Sequence, residues 1–409
     1  GLPDLGLDQD VRLHHGCSLE CARCGCERVR GGPGRADDAA DGEGVANVGP
    51  GTRPRRAEQS PPNTLRVTEP ERHRTLMPVH NTIGGLGEFA LITRVTGQFP
   101  VTDDVILGPG DDAAVVAAPD GRTVASTDLL VEGRHFRREW STARDVGHRA
   151  VAQNFADIAA MGARPTVLLI GLAAPPDLPV AWVEDFTAGV RDECAVAGGT
   201  VVGGDMVASD TLTIAVTALG DLQGREPVLR SGARPGDVVA YTGRLGLSAA
   251  GLALLERGLQ GPAECLSEHR RPGPPYARGQ EAALLGATAM LDVSDGLAQD
   301  LGHVCRAGGV RIDLESEALR PAPALVEAVR VLGADAEEAE GAARALMVAG
   351  GEDHALAATF PPDTVLPDHW YRVGIVTEAG DESTGENRNP VTIDGGAPVS
   401  TGWDHFRRN

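Results

Sequence analysis

Aspartates recur in this sequence at the ends of apolar runs or on a helical pattern, with glycine or small polar residues beside them. They are Asp111 and Asp112, Asp128, Asp157, Asp205, and Asp292 with Asp295. A single such Asp is as often a turn former or helix cap as a functional group. Clustered carboxylates repel one another, however, unless cations neutralise them, and oxygen ligands of this kind suit hard cations such as Mg²⁺. The set as a whole therefore predicts chemistry on a magnesium-bound nucleotide.

The absence of lysine narrows that chemistry, because all 37 basic residues are arginine. A P-loop requires the lysine of its phosphate-binding motif, and a protein kinase requires its strand lysine. A pyridoxal-phosphate enzyme requires a lysine for its Schiff base. These three classes are excluded as they are normally built. In a phosphoryl-transfer enzyme of this composition, metal ions and arginine must supply the positive charge.

Composition also limits the partners and the compartment. The formal net charge is −21, which argues against nucleic-acid binding through a broad basic face. No apolar run approaches the ~20 residues of a membrane span, and no secretory signal pattern is visible. Cys194, Cys265 and Cys305 are scattered, as is typical of reduced thiols in a cytosolic protein. We therefore expect a cytoplasmic protein that binds neither nucleic acid nor membrane.

Residues 1–76 differ from the rest of the chain, since they contain no Phe, Tyr or Trp and are rich in Gly, Pro and Arg. Such a segment buries too little apolar surface to offset its ordering entropy, so we expect a disordered extension. Cys17, Cys21, Cys24 and Cys26 follow two histidines in it, which leaves an iron-sulfur or zinc protein as an alternative. No second pair of ligands completes a zinc site there.

The chain between residues 77 and 222 alternates strand and helix patterns, which predicts a first α/β or α+β domain. Helices are expected at 88–95, 142–161 and 180–197, the second capped by Ser141 and stopped by Gly162. Asn154 and Asp157 then share a helix face because they are three residues apart. Strands are expected at 166–172, 200–202 and 212–219, with Gly203, Gly204 and Asp205 between the last two.

A hairpin signal lies within this first domain. The apolar runs 113–117 and 123–127 flank Pro119-Asp120-Gly121. Pairing about Asp120 would place Asp112 opposite Asp128. Two carboxylates facing each other in this way would suit a shared divalent ion.

A second α/β domain is expected from residue 223 to 409, and it begins with a polar joint at 225–236 that carries Arg230. Strands are predicted at 238–242, 289–293, 310–314, 354–358 and 371–377, with helical patterns between them. Arginine in such a joint is usually a surface residue. In a chain without lysine it is also a candidate to bind nucleotide phosphate.

The order of the motifs is more specific than any one of them. They are Gly87-Glu88-Phe89, Gly110-Asp111-Asp112-Ala113, Ser126-Thr127-Asp128, His135-Phe136, the stretch from Asn154 to Ala163, Gly203-Gly204-Asp205, Arg230-Ser231-Gly232-Ala233, Asp292-Val293-Ser294-Asp295-Gly296, Gly350-Gly351-Glu352-Asp353 and Trp403-Asp404-His405-Phe406. Together, over about residues 84 to 406, they closely resemble the thiamine-monophosphate kinase family. Residues 1–76 have no counterpart in the resemblance.

The resemblance implies a two-domain α/β fold of the aminoimidazole ribonucleotide synthetase type and homodimers that form through the N-terminal domains. It also implies a reaction in which ATP phosphorylates thiamine monophosphate to thiamine diphosphate with the help of several Mg²⁺ ions. The acceptor is a phosphate oxygen that is already ionised near neutral pH, so no general base is required, and we expect direct in-line transfer.

The same resemblance assigns roles to individual residues. The implied Mg²⁺ ligands are Asp112, Ser126, Thr127, Asp128, Asp157, Asp205, Asp292 and Asp295, of which Asp128, Asp157, Asp205 and Asp295 are the expected catalytic carboxylates. The implied ATP contacts are Gly204, Asp205, Arg230 and Ser294. The implied substrate contacts are His135, Glu352 and Trp403.

Two positions depart from the family pattern, and one related function stays open. His354 stands where the family commonly has an aromatic residue, and Met206 stands where it often has Thr. Neither change removes a carboxylate. Another ATP-dependent synthetase of the same superfamily would share the Asp/Gly pattern, although Glu352 and Trp403 favour thiamine monophosphate as the acceptor.

Overall fold

The computed structural model describes residues 82–109, 113–379, 390–398 and 402. The described chain begins with two helices, α1 (Ile83–Leu86) and α2 (Glu88–Thr96). Two short strands follow, β1 (Val105–Leu107) and β2 (Val115–Val116), and they pair antiparallel with each other. The extension 1–76, Asp112 and Trp403 lie outside the described residues.

A four-stranded sheet with the order β3-β6-β4-β5 organises the first half of the chain. Its strands are β3 (Val124–Val131), β4 (Arg164–Ala174), β5 (Thr200–Ala208) and β6 (Thr213–Asp221). β6 pairs antiparallel with β3 and β4, whereas β4 and β5 are parallel. Two 18-residue helices, α3 (Ala143–Ala160) and α4 (Val180–Ala197), pack beside the sheet and against each other.

The predicted hairpin is wrong. The turn at Gly121 exists, with φ of 76° and its N–H donated to the carbonyl of Ala118. The strands on its two sides nevertheless have other partners, since β2 pairs with β1 and β3 pairs with β6. β3 finds eight register partners on β6, whereas β2 is only two residues long. The longer ladder satisfies more backbone groups and therefore decides the pairing.

Helix α3 and its N-cap both begin one residue later than predicted. Thr142, and not Ser141, is the N-cap, and it forms a capping box with Asp145 in which each side chain accepts the other residue's N–H. The helix ends at Ala160, and Gly162 follows with a positive φ of 74°, as the predicted stop requires.

A six-stranded sheet with the order β12-β9-β11-β7-β10-β8 forms the second half. Its strands are β7 (Val238–Thr242), β8 (Ala289–Val293), β9 (Val310–Leu314), β10 (Ala355–Phe360), β11 (Tyr371–Glu378) and β12 (Val391–Ile393). The helices are α5 (Leu247–Glu256), α6 (Ala263–Arg270), α7 (Tyr276–Leu284), α8 (Leu297–Gly308), α9 (Pro323–Val331) and α10 (Ala339–Ala349). All pairings in this sheet are antiparallel except that of β12 with β9.

The two halves share one hydrophobic core. Phe155 and Ile158 of α3 belong to the same buried cluster as Met290 of β8 and Phe360 of β10. A second cluster is confined to the C-terminal half. The shared core fixes the end of β8 beside α3 and β3, where the predicted site residues lie. Within the described residues, no helix is long and apolar enough to cross a membrane.

Candidate active site

Asp128 and Asp157 are held together by the packing of α3 on β3. The backbone N–H of Asp128 donates to Oδ1 of Asn154 at 3.1 Å. Oγ of Ser126 donates to Oδ2 of Asp157 at 2.6 Å. Asn154 is fully buried and also donates from Nδ2 to the carbonyl of Ala150. The prediction that Asn154 and Asp157 share a helix face is confirmed, because both contact β3.

The C-terminal half contributes Asp292 and Asp295 from the end of β8. Asp292 is buried near the carboxyl end of the strand, and Asp295 lies in the loop that leads into α8. Asp300 fixes this loop, because its Oδ2 accepts the N–H groups of Ser294, Asp295 and Gly296 at 3.0, 2.9 and 3.1 Å. Asp300 was not among the predicted site residues. Its signal in the sequence is an acidic residue in the first turn of the helix after Ser-Asp-Gly.

The carboxylates of the two halves are within electrostatic reach of one another. Burial and the charge of Asp292 raise the pKa of Asp128 to about 6, although His354 and a hydrogen bond from Gln153 oppose the shift. Burial, Asp292 and Asp128 raise the pKa of Asp157 well above its ordinary value. The structure therefore brings Asp128, Asp157 and Asp292 together as partly uncompensated anions.

These residues suit a hard cation by their chemistry. The donors are carboxylate oxygens, with the Ser126 hydroxyl beside them. The raised pKa values of Asp128 and Asp157 show that the ionised forms of these two carboxyls are disfavoured where they stand. Across the described ranges, no three His, Cys, Asp or Glu side chains already converge on one metal-sized position. Asp112, the remaining predicted ligand of this group, lies outside those ranges. The donor set fits Mg²⁺ in type and charge.

The segment from Gly350 to His354 lies against the end of β8 in a strained conformation. Glu352 and His354 have positive φ values of 67° and 50°, which are uncommon for residues with side chains. The N–H of Glu352 donates to the carbonyl of Ser294 at 2.8 Å, and that of His354 to Val293 at 3.0 Å. Backbone strain of this kind persists only where surrounding contacts hold it and is concentrated at functional sites.

Glu352, a predicted substrate contact, is buried and forms an ion pair with Arg149 of α3. Arg149 also donates to the carbonyl of His269 at 3.0 Å, and burial lowers its pKa to about 10. The neighbouring Asp353 accepts the N–H groups of Gly246 and Ser248 and thereby caps the start of α5. Arg149 and Asp353 were not predicted as site residues, because neither contact is visible in the local pattern.

Thr127 and Asp205 do not join the carboxylates around Asp128 within one chain. Thr127 is exposed, and its hydroxyl donates to the carbonyl of Val216. Asp205 is exposed on β5, and its Oδ1 accepts the N–H of Met206. β3 and β5 are opposite edges of the four-stranded sheet, so three strand spacings, about 14 Å, separate them.

The Gly203-Gly204-Asp205 motif was predicted to lie between two strands, but it lies inside β5. A Cβ on Gly204 would come within 1.9 Å of the carbonyl oxygen of Ile170 on β4. The missing side chain therefore allows two strands to approach each other, which is a packing requirement in addition to any contact with a ligand.

A cleft opens beside Gly204 and Asp205, between α2, α4 and the β4–β5 edge. Ile92, Phe99 and Met206 are among its predominantly apolar lining residues. Met206, one of the two departures from the family pattern, is thus part of this wall.

Arg230 and His135, two further predicted site residues, lie in different parts of the fold. Arg230 opens the short 3-10 helix Arg230–Gly232, which contacts α8 and β8. Burial raises the pKa of Asp300 well above its ordinary value, and the charge of Arg230 opposes part of this shift. His135 is half-buried, and its Nδ1 accepts the N–H of Val131 at 3.0 Å. Arg230 therefore lies within electrostatic reach of the Ser294–Gly296 loop, whereas His135 is anchored at the end of β3.

Comparisons with known proteins point to the same family as the order of the motifs in the sequence. The family models described as the N-terminal and C-terminal domains of AIR synthase related protein match residues 110–222 and 234–385. The thiamine-monophosphate kinase of Mycobacterium tuberculosis (strain ATCC 25618 / H37Rv) is 47% identical over 312 residues, covering 74% of this chain and 91% of that protein. The enzyme of the same name from Escherichia coli (strain K12) is 35% identical over 334 residues, covering 78% and 98%.

Solved structures of the same kind are also similar. A structure described as AaThiL complexed with AMPPCP and TMP is 33% identical, has a TM-score of 0.61 and covers 78% of this chain and 97% of that one. The thiamine-monophosphate kinase from Stenotrophomonas maltophilia K279a is 31% identical with a TM-score of 0.64, covering 76% and 98%. The hydrogenase maturation protein HypE, at 20% identity and a TM-score of 0.58, shares the fold.

Proposed function

The chain belongs to the thiamine-monophosphate kinase family, and on that basis we propose that it transfers a phosphoryl group from ATP to thiamine monophosphate, giving ADP and thiamine diphosphate. The observation that carries the proposal is the group of carboxylates that both halves bring together, Asp128 and Asp157 from one and Asp292 and Asp295 from the other. The proposed domains are 77–222 and 223–409, with residues 1–76 as an extension.

The proposed chemistry requires two anions to approach each other. Asp128, Asp157, Asp292 and Asp295 would hold Mg²⁺, which when bound neutralises phosphate charge. The chain's own residues position the reactants: Asp300 keeps the Ser294–Gly296 loop in place, and Arg230 places a permanent positive charge near it. Because the acceptor oxygen is already ionised, we propose direct in-line transfer without a phosphorylated enzyme.

ATP is proposed to contact Gly204, Asp205, Arg230 and Ser294. Asp205 lies on the opposite edge of the sheet from Asp128, so one chain alone does not bring these two groups to the same phosphates.

A homodimer would resolve this separation. The face of the four-stranded sheet opposite Asp128 exposes the side chains of Leu129 (50%), Leu169 (40%) and Val207 (54%). A second copy of the chain could cover this apolar surface. Asp205 shares a register row with Leu129 through Ala215 and Gly171, and so belongs to that face. We propose that two copies associate through it and that Asp205 serves the active site of the second copy.

The substrate would contact His135, Glu352 and Trp403. Trp403 lies outside the described residues, and its stacking on the rings of thiamine stays a prediction. Glu352 is held by Arg149 and is therefore oriented before a substrate arrives.

The activity is tested by measuring thiamine diphosphate formed from ATP, Mg²⁺ and thiamine monophosphate. Free thiamine serves as the control acceptor and should be poor, because it offers no anion to the metal site. Formylglycinamidine ribonucleotide, the acceptor of a sister synthetase, should give no ATP turnover. Efficient use of either control acceptor, or no product from thiamine monophosphate, would contradict the proposal.

The shared site is tested by mixing two inactive variants, Asp128→Asn and Asp205→Asn, under conditions that exchange subunits. If each site combines residues of two copies, a mixed dimer keeps one intact site, and an equal mixture should regain about one quarter of the parental activity. If each chain carries its own complete site, mixing restores nothing. Light scattering of the parent at the assay concentration establishes whether it is a dimer.

A further inference from the structure

Three consecutive residues, Glu352, Asp353 and His354, are each bound to a different element. Glu352 forms its ion pair with Arg149 of α3. Both carboxylate oxygens of Asp353 accept N–H groups at the start of α5. Nδ1 of His354 lies 3.1 Å from Oδ2 of Asp292 on β8. All three side chains are buried, so the segment 352–354 connects α3, α5 and β8 in the interior of the protein.

The backbone of the two outer residues is strained and is bonded to the end of β8. Glu352 and His354 have positive φ values of 67° and 50°, whereas Asp353 between them does not have a positive φ. Their N–H groups donate to the carbonyl groups of Ser294 at 2.8 Å and Val293 at 3.0 Å. A left-handed conformation of residues with side chains persists only where surrounding contacts hold it. The bonds to β8 hold one side of the segment, and the contacts of Asp353 hold the other.

Asp353 is the contact between this segment and α5. Its Oδ2 accepts the N–H of Gly246 at 2.5 Å, and its Oδ1 accepts that of Ser248 at 2.9 Å. Gly246 is the N-cap of α5 and has no side chain with which to bind the first N–H groups of the helix. A carboxylate is favoured at this end of the helix dipole. Because both oxygens are engaged, the Asp353 side chain cannot turn without losing one of the two bonds.

We propose that Asp353 is a positioning residue for the phosphoryl acceptor. By binding the start of α5, it keeps Glu352 and His354 in the left-handed conformation. It thereby keeps the side chain of Glu352 in the place from which that side chain contacts the substrate. The inference rests on the proposed role of Glu352 in binding thiamine monophosphate. Asp353 itself does not touch the reactants and acts through Glu352.

The kinetic test uses Asp353→Asn in the full-length protein, with steady-state rates measured for each substrate. Asn fills the same space but offers one acceptor oxygen for two N–H groups. Burial raises the pKa of Asp353 to about 7, so measurements at about pH 8.5 keep the parent carboxylate ionised. The variant should lose about 10-fold or more of kcat/KM for thiamine monophosphate, because small displacements of a substrate contact are costly. Its KM for ATP should change little.

Asp313→Asn is the matched control. Oδ1 of Asp313 also accepts two groups from another segment, the hydroxyl of Thr392 at 2.5 Å and the N–H of Gly395 at 3.0 Å. Asp313 lies on β9, and three strands separate β9 from β8 in the six-stranded sheet. Its replacement should leave kcat/KM for thiamine monophosphate within about two-fold of the parent value, because distant sites act independently.

A double-mutant cycle with Glu352→Gln shows whether Asp353 acts through Glu352. In the Glu352→Gln protein, Asp353→Asn should reduce kcat/KM by no more than about two-fold further, because the contact that it positions is already lost. Losses that multiply in the double variant would show that the two residues act independently and would overturn the inference. A loss in Asp353→Asn no greater than that in Asp313→Asn would overturn it as well.

Hydrogen exchange of the substrate-free protein gives a readout that does not depend on kinase activity. Asp353→Asn should speed exchange of the Glu352 and His354 N–H groups by about 10-fold or more, because their bonds to β8 open more often, and Asp313→Asn should not. Unchanged exchange in Asp353→Asn would show that Asp353 does not hold the segment, even in an active enzyme. Thermal melts establish that both variants fold.

The outcomes separate this inference from the kinase proposal. A parent that forms no thiamine diphosphate would contradict the kinase proposal, and with it the role of Asp353 towards the acceptor. Hydrogen exchange would still decide whether Asp353 holds the segment. A parent that is active, together with an Asp353→Asn variant that matches Asp313→Asn in rate and exchange, would reject the inference alone.

Discussion

The hydroxyl of Ser126 on β3 donates a 2.6 Å hydrogen bond to Oδ2 of Asp157 on α3. This bond stabilises the ionised form of a carboxyl whose pKa is otherwise raised by burial and by the charges of Asp292 and Asp128. A small hydroxyl thus keeps one carboxylate oxygen of Asp157 in place while the other is left for a cation. Four predictions follow from this site and from the packing that supports it.

Replacing Asp128 or Asp157 by Asn should reduce turnover by about 100-fold or more, because each change removes one charge that balances cations at the reacting phosphates. Steady-state rates at saturating Mg²⁺ measure the effect. Asp120→Asn is the control, since Asp120 lies in the turn before β3 and bonds Arg122. Near-normal turnover of Asp128→Asn would contradict the proposed role.

Asp128→Asn should also stabilise the metal-free protein at neutral pH. Folding raises the pKa of Asp128 from 3.8 to about 6, so its contribution to stability is present below pH 3.8 and is lost as the pH rises through about 6. Asn stays neutral, so Asp128→Asn should melt above the parent at pH 7.5, and the difference should shrink towards pH 4. A gain of about 1 kcal/mol corresponds to roughly 2–4 °C.

Melts with EDTA at several pH values measure this difference. Asp120→Asn should show no such gain, because a hydrogen bond from Arg122 lowers the pKa of Asp120. A melting difference for Asp128→Asn that is independent of pH would argue against the raised pKa.

Breaking the ion pair between Arg149 and Glu352 should be costly. Arg149→Met leaves the buried Glu352 without its cation, which should lower the free energy of unfolding by about 3–5 kcal/mol. Arg149→Met combined with Glu352→Leu should recover much of that loss. The exposed pair Arg94–Glu184 is the comparison, and Arg94→Ala should cost about 0–1 kcal/mol. Denaturant unfolding of the parent, the two single variants and the double variant measures these free energies. Equal losses in Arg149→Met and Arg94→Ala would refute the expectation.

Gly204→Ala should disturb β5. The new Cβ would meet the carbonyl oxygen of Ile170 at 1.9 Å, so the strands must separate, at a cost of about 1–3 kcal/mol. Gly341→Ala in α10 is the control, because among the described residues no atom outside the glycine's own helical backbone lies within 4 Å of its Cβ position. That change should be neutral or stabilising by up to about 1 kcal/mol. Thermal melts compare the two, and a neutral Gly204→Ala would show that the strand pair can yield.

Much of the fold could be predicted from local sequence patterns. The predicted helix 180–197 and the strands 238–242, 289–293 and 310–314 have the bounds that the structure gives to α4, β7, β8 and β9. Each of these segments has a strong apolar pattern, with glycine or proline beside its ends or in the adjoining loops. Local interactions of this kind act over a few residues, so they can be recognised without knowing the rest of the chain.

Strand pairing could not be predicted in the same way. A turn at Pro119-Asp120-Gly121 is present, but β3 pairs with β6, which lies about 90 residues later in the chain. Which strand becomes the partner depends on the length of the ladder and on the helices that bury one face. The same reason explains why Gly204 lies inside a strand and why Asp205 is at the far edge from Asp128.

The sequence by itself determined which residue types are present and which helix face they share, as with Asn154 and Asp157. The tertiary structure decided which of them meet. Asp128 approaches Asp292 only because Phe155 and Ile158 share a core with Met290 and Phe360, and Glu352 reaches Arg149 for the same reason. Contacts between residues so far apart in the chain arise from the packing of the whole core, which no local pattern records.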